Sequence, residues 1–197
     1  MTAMKVMQLL LPAVNVLTNQ MVIKNYATQD AKIENIYSAV RLNRYAIDSQ
    51  NQYSRRENIR ISGIVEEEDE VLLEKLSNIC NVMGAKVNNA DIISCHRVGN
   101  KGRPNIPRTV IVRCTRDFKS KVFTNKKTLH GKPEFRMICF NEDLTTPRFK
   151  LLQFVKKLDK VKAAHTRDGK IHCLLMDNTP MIFLNWVWIA STTTCLD

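Results

Sequence analysis

What the chain lacks narrows its chemistry first. It has no CxxC pair: Cys80, Cys95, Cys114, Cys139, Cys173 and Cys195 are widely spaced. That excludes a zinc ribbon and a secreted disulfide scaffold, and it reads as reduced thiols in an intracellular protein. No GxxxxGK[ST] or GxGxxG occurs, so nucleotide hydrolysis and dinucleotide binding have no phosphate-cradling loop to use. The apolar run Met4 to Val16 is interrupted by Pro12 and Asn15, which leaves no segment of about 20 apolar residues for a transmembrane helix. That run also lacks a small-x-small cleavage site, so a signal peptide is not expected. Adjacent strand residues point to opposite faces, so neither Cys95-His96 nor His172-Cys173 chelates as a pair. His130 and His165 stand alone, without a Ser or Cys nucleophile at a recognisable spacing. No enzyme, metal site or cofactor is expected.

Acidic residues are also scarce. The 197 residues hold 30 Lys and Arg against 19 Asp and Glu, a net charge of +11. With 44% hydrophobic and 25% charged residues the chain can still bury a core, in one or two compact units. The excess calls for a polyanion, either nucleic acid or an anionic membrane surface. It is concentrated between Arg55 and Lys170, where the one acidic block is Glu66-Glu67-Glu68-Asp69-Glu70. That block reads as a helix start, because carboxylates in a first turn complement the helix dipole.

The order of elements follows from periodicity. Ile33, Val40 and Ile47 recur every seven residues, with Ile36, Asn43 and Gln50 three residues after each. This predicts a short coiled coil, the alternative being an amphipathic helix packed on the following domain. Ile59, Ile61 and Gly63 alternate with Arg60 and Ser62 as in a half-buried strand. Leu72, Leu76, Ile79 and Met83 mark a helix, and Ile92 to Val98 and Thr109 to Cys114 mark strands. A helix from about Arg116 to Lys127 and a strand from Arg136 to Phe140 follow. This strand, helix, strand, strand, helix, strand order is what an RRM-like α+β sandwich requires: a four-stranded antiparallel sheet with two helices on one face. Thr146, as N-cap, and Pro147 begin a further helix. Asp168-Gly169 is a hairpin signal, with Lys170 to Leu175 and Met181 to Leu184 as the strands of a small C-terminal subdomain.

Several stretches resemble a known family. They are Gln52-Tyr53-Ser54-Arg55-Arg56-Glu57-Asn58-Ile59-Arg60-Ile61-Ser62-Gly63-Ile64, Cys95-His96-Arg97-Val98-Gly99, Arg103-Pro104 ahead of Val110-Ile111-Val112-Arg113, Asn141-Glu142-Asp143-Leu144-Thr145, and Lys162 to Ile171. In order and spacing, from about Ile33 to Leu175, they resemble the first-open-reading-frame proteins of LINE-type non-LTR retrotransposons, and are similar to the baculovirus few-polyhedra (FP) proteins. The resemblance implies an oligomerising coiled coil, commonly trimeric, an RRM-like domain and a small C-terminal domain. Together these coat RNA as a ribonucleoprotein and act as a nucleic-acid chaperone, in the cytoplasm or else the nucleus, with no membrane partner. The corresponding segments are 1–30, unassigned; 31–57, coiled coil; 58–144, RRM-like; 145–179, the C-terminal subdomain, incomplete; and 180–197, an aberrant apolar tail that departs from the family.

Carried over, the resemblance assigns RNA contact to Arg55, Arg56, Lys101, Arg103, Arg113 and Arg148. Arg60 joins them from the strand pattern, because it stands where an RRM usually carries a base-stacking aromatic. Without that aromatic, affinity is expected to come mainly from phosphates, with low sequence specificity. The oligomerisation seam is Ile33, Ile36, Val40, Asn43, Ile47 and Gln50. Two alternatives stand beside this reading: an FP-like module that binds protein partners, and a degenerate, non-functional copy.

Overall fold

A computed structural model describes residues 3–88, 90–100 and 106–184. Lys101, Arg103 and the tail from residue 185 therefore lie outside the described residues. The chain divides into two units, Met1–Ile47 and Asp48–Asp197. Among the described residues no helix is long and apolar enough to cross a membrane.

The first unit is helical. Helix α1 runs Ala3–Ser54, so it begins well before the expected coiled coil and ends a few residues short of its far limit; its last turns belong to the second unit. Ile33, Ile36, Val40 and Ile47 are all exposed, as are Asn43 and Gln50. A helix is held in water mainly by burial of its apolar stripe, and here that stripe is open.

The second unit is mixed α+β with two antiparallel sheets. Its larger sheet takes β1 (Asn58–Ser62), β2 (Ile92–Val98), β3 (Thr109–Cys114) and β4 (Cys139–Glu142) in the order β2-β3-β1-β4. Alternation places Ile59 and Ile61 of β1 and Val110, Val112 and Cys114 of β3 in the core. Helices α2 (Leu72–Val82) and α3 (Arg116–Asn125) fill the same core with Leu76, Ile79, Phe118 and Val122. Each such side chain contributes about 1.5–3 kcal/mol when fully buried. The Thr115 hydroxyl caps α3 by accepting from the Phe118 N–H at 3.3 Å. Just after β1, Gly63 has φ +88°, and a Cβ there would lie 1.9 Å from the Met137 carbonyl oxygen; only glycine fits that approach.

Four expectations are corrected. The acidic block is not a helix start: α2 opens at Leu72, after Asp69 in the left-handed region (φ 58°). Its carboxylates are drawn to arginines instead. The Arg97 guanidinium, 3% exposed, holds the Glu70 carboxylate and the carbonyls of Ile64, Val65 and Arg108, while Arg108 pairs with Glu66. The strand expected from Arg136 begins at Cys139, because 3₁₀ turns occupy Lys126–Gly131 and Pro133–Phe135. Thr145, not Thr146, is the N-cap of α4 (Thr146–Val155), and its hydroxyl bonds Asp48 rather than the helix. Asp168-Gly169 does not join the two strands expected of it. It links β5 (Val161–Arg167) to β6 (Lys170–Leu175), with φ 52° and 72° at the two turn residues, the type I′ geometry. Strand β7 (Pro180–Phe183) completes this smaller sheet in the order β5-β6-β7 over Leu151, Val155, Ile171, Cys173 and Phe183.

Candidate nucleic-acid interface

Because Ile59 and Ile61 point into the core, Asn58 and Arg60 stand on the opposite face of β1. Asn58 is beside Arg113 of β3, and Arg60 lies between Ile111 of β3 and Asn141 of β4. This face is organised by Asp143, directly after β4, with a side chain 4% exposed. Its carboxylate accepts from Arg55 Nη1 at 3.3 Å, Asn58 Nδ2 at 3.0 Å, and Arg60 Nε and Nη2 at 3.3 and 3.2 Å. One anion thus positions two guanidiniums that stay about two-fifths exposed (40% and 41%). Two cations on one carboxylate leave a positive surplus. Arg113 is more open, with Glu57 3.8 Å away.

The neighbouring carboxylate, Glu142, is buried too and faces the other way. It accepts the N–H groups of Asp168 and Gly169 at 2.8 and 3.0 Å, with Lys119 Nζ 3.5 Å away. The last turns of α1 complete the joint. Gln52, 5% exposed, donates to the Asp143 carbonyl and accepts from the Thr145 N–H. Asp48 receives Thr145 Oγ1 at 2.5 Å and Arg148 Nε at 2.8 Å. Arg148 also donates to the Gly169 carbonyl at 2.9 Å and to Ser49 Oγ at 3.5 Å. Its residue is 8% exposed. Arg148 differs here from the role the resemblance gives it: all three guanidinium nitrogens are engaged inside the unit, where it locks α4 and the β5–β6 turn to α1.

Beside this joint lies a cleft of about 630 Å³. Its walls include Tyr53 in the last turn of α1 and Arg56 just beyond it, Arg116, Lys119 and Phe123 of α3, and His165 and Arg167 of β5, with Glu142, Arg148 and Asp168 also lining it. The Arg56 guanidinium sits 3.9 Å from the Tyr53 ring centroid, and Lys119 and Lys126 lie 5.7 and 4.5 Å from the Phe123 centroid. Arg116 and Arg167 have no ion-pair partner among the described residues. His165 is paired across the hairpin with His172, their rings stacked with centroids 5.4 Å apart. Burial, then the charges of His165, Arg167 and Lys170, push the His172 pKa down. Cations and aromatic faces together suit single-stranded nucleic acid, whose phosphates and unpaired bases need both.

Of the sequence-derived contacts, Arg55 and Arg60 converge on Asp143, Arg56 lines the cleft, Arg113 stands on the sheet face, and Arg148 is internal. Sequence reasoning missed Arg116, Lys119 and Arg167 as a group. The signal at Arg167 was a basic residue directly before a hairpin turn, and it acquires meaning only when that residue lines the same cleft as Arg116 and Lys119 of α3. Among the described residues no group of three His, Cys, Asp or Glu side chains could hold a metal ion. Burial pushes the Cys80 and Cys114 thiols up to about 12, so neither is a reactive thiolate at neutral pH. No protein-family model matches the chain, and no curated protein does.

Proposed function

We propose that the chain is a non-enzymatic protein that binds RNA or other single-stranded nucleic acid, of the retrotransposon ribonucleoprotein kind, and self-associates through α1. The observation that carries this reading is the cleft, where Arg56, Arg116, Lys119 and Arg167 gather with Tyr53 and Phe123 on one rigidly tied unit. The β2-β3-β1-β4 order with both helices in one core supports an RRM-like arrangement of the larger sheet. The sheet face, with Arg60, Arg113 and Arg55, extends the positive surface. The open Ile33, Ile36, Val40 and Ile47 stripe supports a seam for further copies of the chain.

Phosphate neutralisation dictates the test. Each neutralised phosphate of a single strand adds about −0.7 to the slope of log affinity against log salt. Replacing Arg116 and Arg167 together by Ala removes two cations that hold no internal partner, so the fold is retained. In filter binding to single-stranded RNA the double variant is expected to bind more weakly, with a slope shallower by about 1.4. An unchanged slope overturns the cleft as the binding surface.

A further inference from the structure

A second concavity, of about 450 Å³, lies between the open face of the larger sheet and α4. Direct pairing of β1 with β4 sets Arg60 and Asn141 side by side on one wall. The other wall is α4, where Phe149 and Gln153 lie four residues apart on one helix face and Lys156, the C-terminal capping residue, follows three further on with helical backbone angles. Phe149 is 52% exposed, a large aromatic ring left open to solvent. Asn141 and Gln153 are exposed as well, and neither side-chain amide has a hydrogen-bond partner among the described residues. Of the carboxylates near the groove, Glu142 is committed to the turn N–H groups of Asp168 and Gly169, and Asp143 holds Arg60, whose guanidinium stays 41% exposed.

An open ring, two unengaged amides and two cations form a specific combination. Unpaired bases stack on aromatic rings, and primary amides donate to and accept from base edges as a matched pair. Arginine and lysine meet phosphate oxygens. A duplex presents neither a free base face nor a free Watson–Crick edge, so the groove fits an unpaired nucleotide. Its volume is in the range of small-ligand sites.

We propose that this groove is a nucleobase-binding pocket: Phe149 stacks one unpaired base of a bound strand, Asn141 and Gln153 hydrogen-bond its edge, and Arg60 and Lys156 hold the adjoining phosphates. It rests on the single-stranded nucleic-acid reading above and adds base discrimination to it. The ring that Arg60 replaces on β1 is thereby supplied from α4.

The test uses the full chain and labelled oligo(A), oligo(C) and oligo(U) of about 12 nucleotides, titrated at fixed salt and then across salt. Phe149→Ala is expected to lose roughly 5- to 100-fold in affinity for the homopolymer that the wild type prefers, with an unchanged salt slope. Phe149→Tyr keeps the ring and is expected to restore binding. Asn141→Ala with Gln153→Ala is expected to bring the three homopolymers within about twofold of one another. All these positions are exposed, so the core is untouched, and circular dichroism checks that the variants fold. The proposal is overturned if Phe149→Ala binds like the wild type or if the wild type binds all three homopolymers equally. A wild type that binds none of them overturns the underlying reading as well, and that failure shows before any variant is made.

Discussion

At the scale of single residues, Asp143 and Glu142 do opposite things from adjacent positions. Successive strand residues face opposite ways, so one carboxylate collects Arg55, Asn58 and Arg60 on the sheet face while the other takes the N–H groups of the β5–β6 turn. Linear spacing reveals neither role, because the partners are distant in sequence; the pair reads only as the end of a strand before a helix. Arg148 is the same lesson from the other side. As a basic residue opening a basic helix it reads as a phosphate contact, yet its nitrogens are taken by Asp48, Gly169 and Ser49. Arg148→Ala is expected to destabilise the fold by about 3 kcal/mol in urea denaturation, because Asp48 loses the cation that compensates it. RNA affinity measured well below the urea midpoint is expected to stay within about twofold. Full stability with lost affinity would return Arg148 to the binding surface.

At the scale of elements, strongly periodic segments were legible and punctuated ones were not. Strands β2 and β3 match their sequence boundaries, because β-branched residues are dense there: Ile92, Ile93 and Val98 in β2, and Thr109 to Val112 in β3. The acidic block misled because dipole compensation is worth only about 0.3–1 kcal/mol at a surface, less than Glu70 gains from the buried Arg97. Arg97, with Lys75 adding to it, holds the Glu70 carboxyl down at about 2 against the opposing effect of burial, from an ordinary 4.5. A carboxyl depressed in this way stabilises the fold above pH 4.5 and loses that contribution as the pH falls toward 2. Urea midpoints across pH are expected to show the wild type most stable relative to Glu70→Gln near neutrality, the gap closing on acidification. A gap independent of pH would contradict the pairing. Helix α1 carries its own test. Ile36→Asp with Val40→Asp places charge on the open stripe, and sedimentation equilibrium is expected to show the wild-type oligomer fall to the 22.7 kDa monomer. A monomeric wild type would contradict the seam.

At the scale of the whole molecule, the net charge of +11 is redistributed by folding. Glu66, Glu67 and Glu70 neutralise Arg108, Lys75 and Arg97 at one end of the larger sheet. Asp48 and Glu142 balance Arg148 and Lys119 at the joint. Arg116 and Arg167 are left without carboxylate partners among the described residues, in the cleft that also holds Tyr53 and Phe123. Composition alone pointed to a polyanion, but it could not separate the cations that hold the fold from those left to meet a ligand. The central claim is that these remaining cations bind single-stranded RNA through its phosphates. The most direct test is the affinity of the wild-type chain for single-stranded RNA over a salt series. Two phosphates neutralised by Arg116 and Arg167 predict a slope at least as steep as about −1.4 in log affinity against log salt; affinity independent of salt, or no binding to single-stranded RNA, would contradict it.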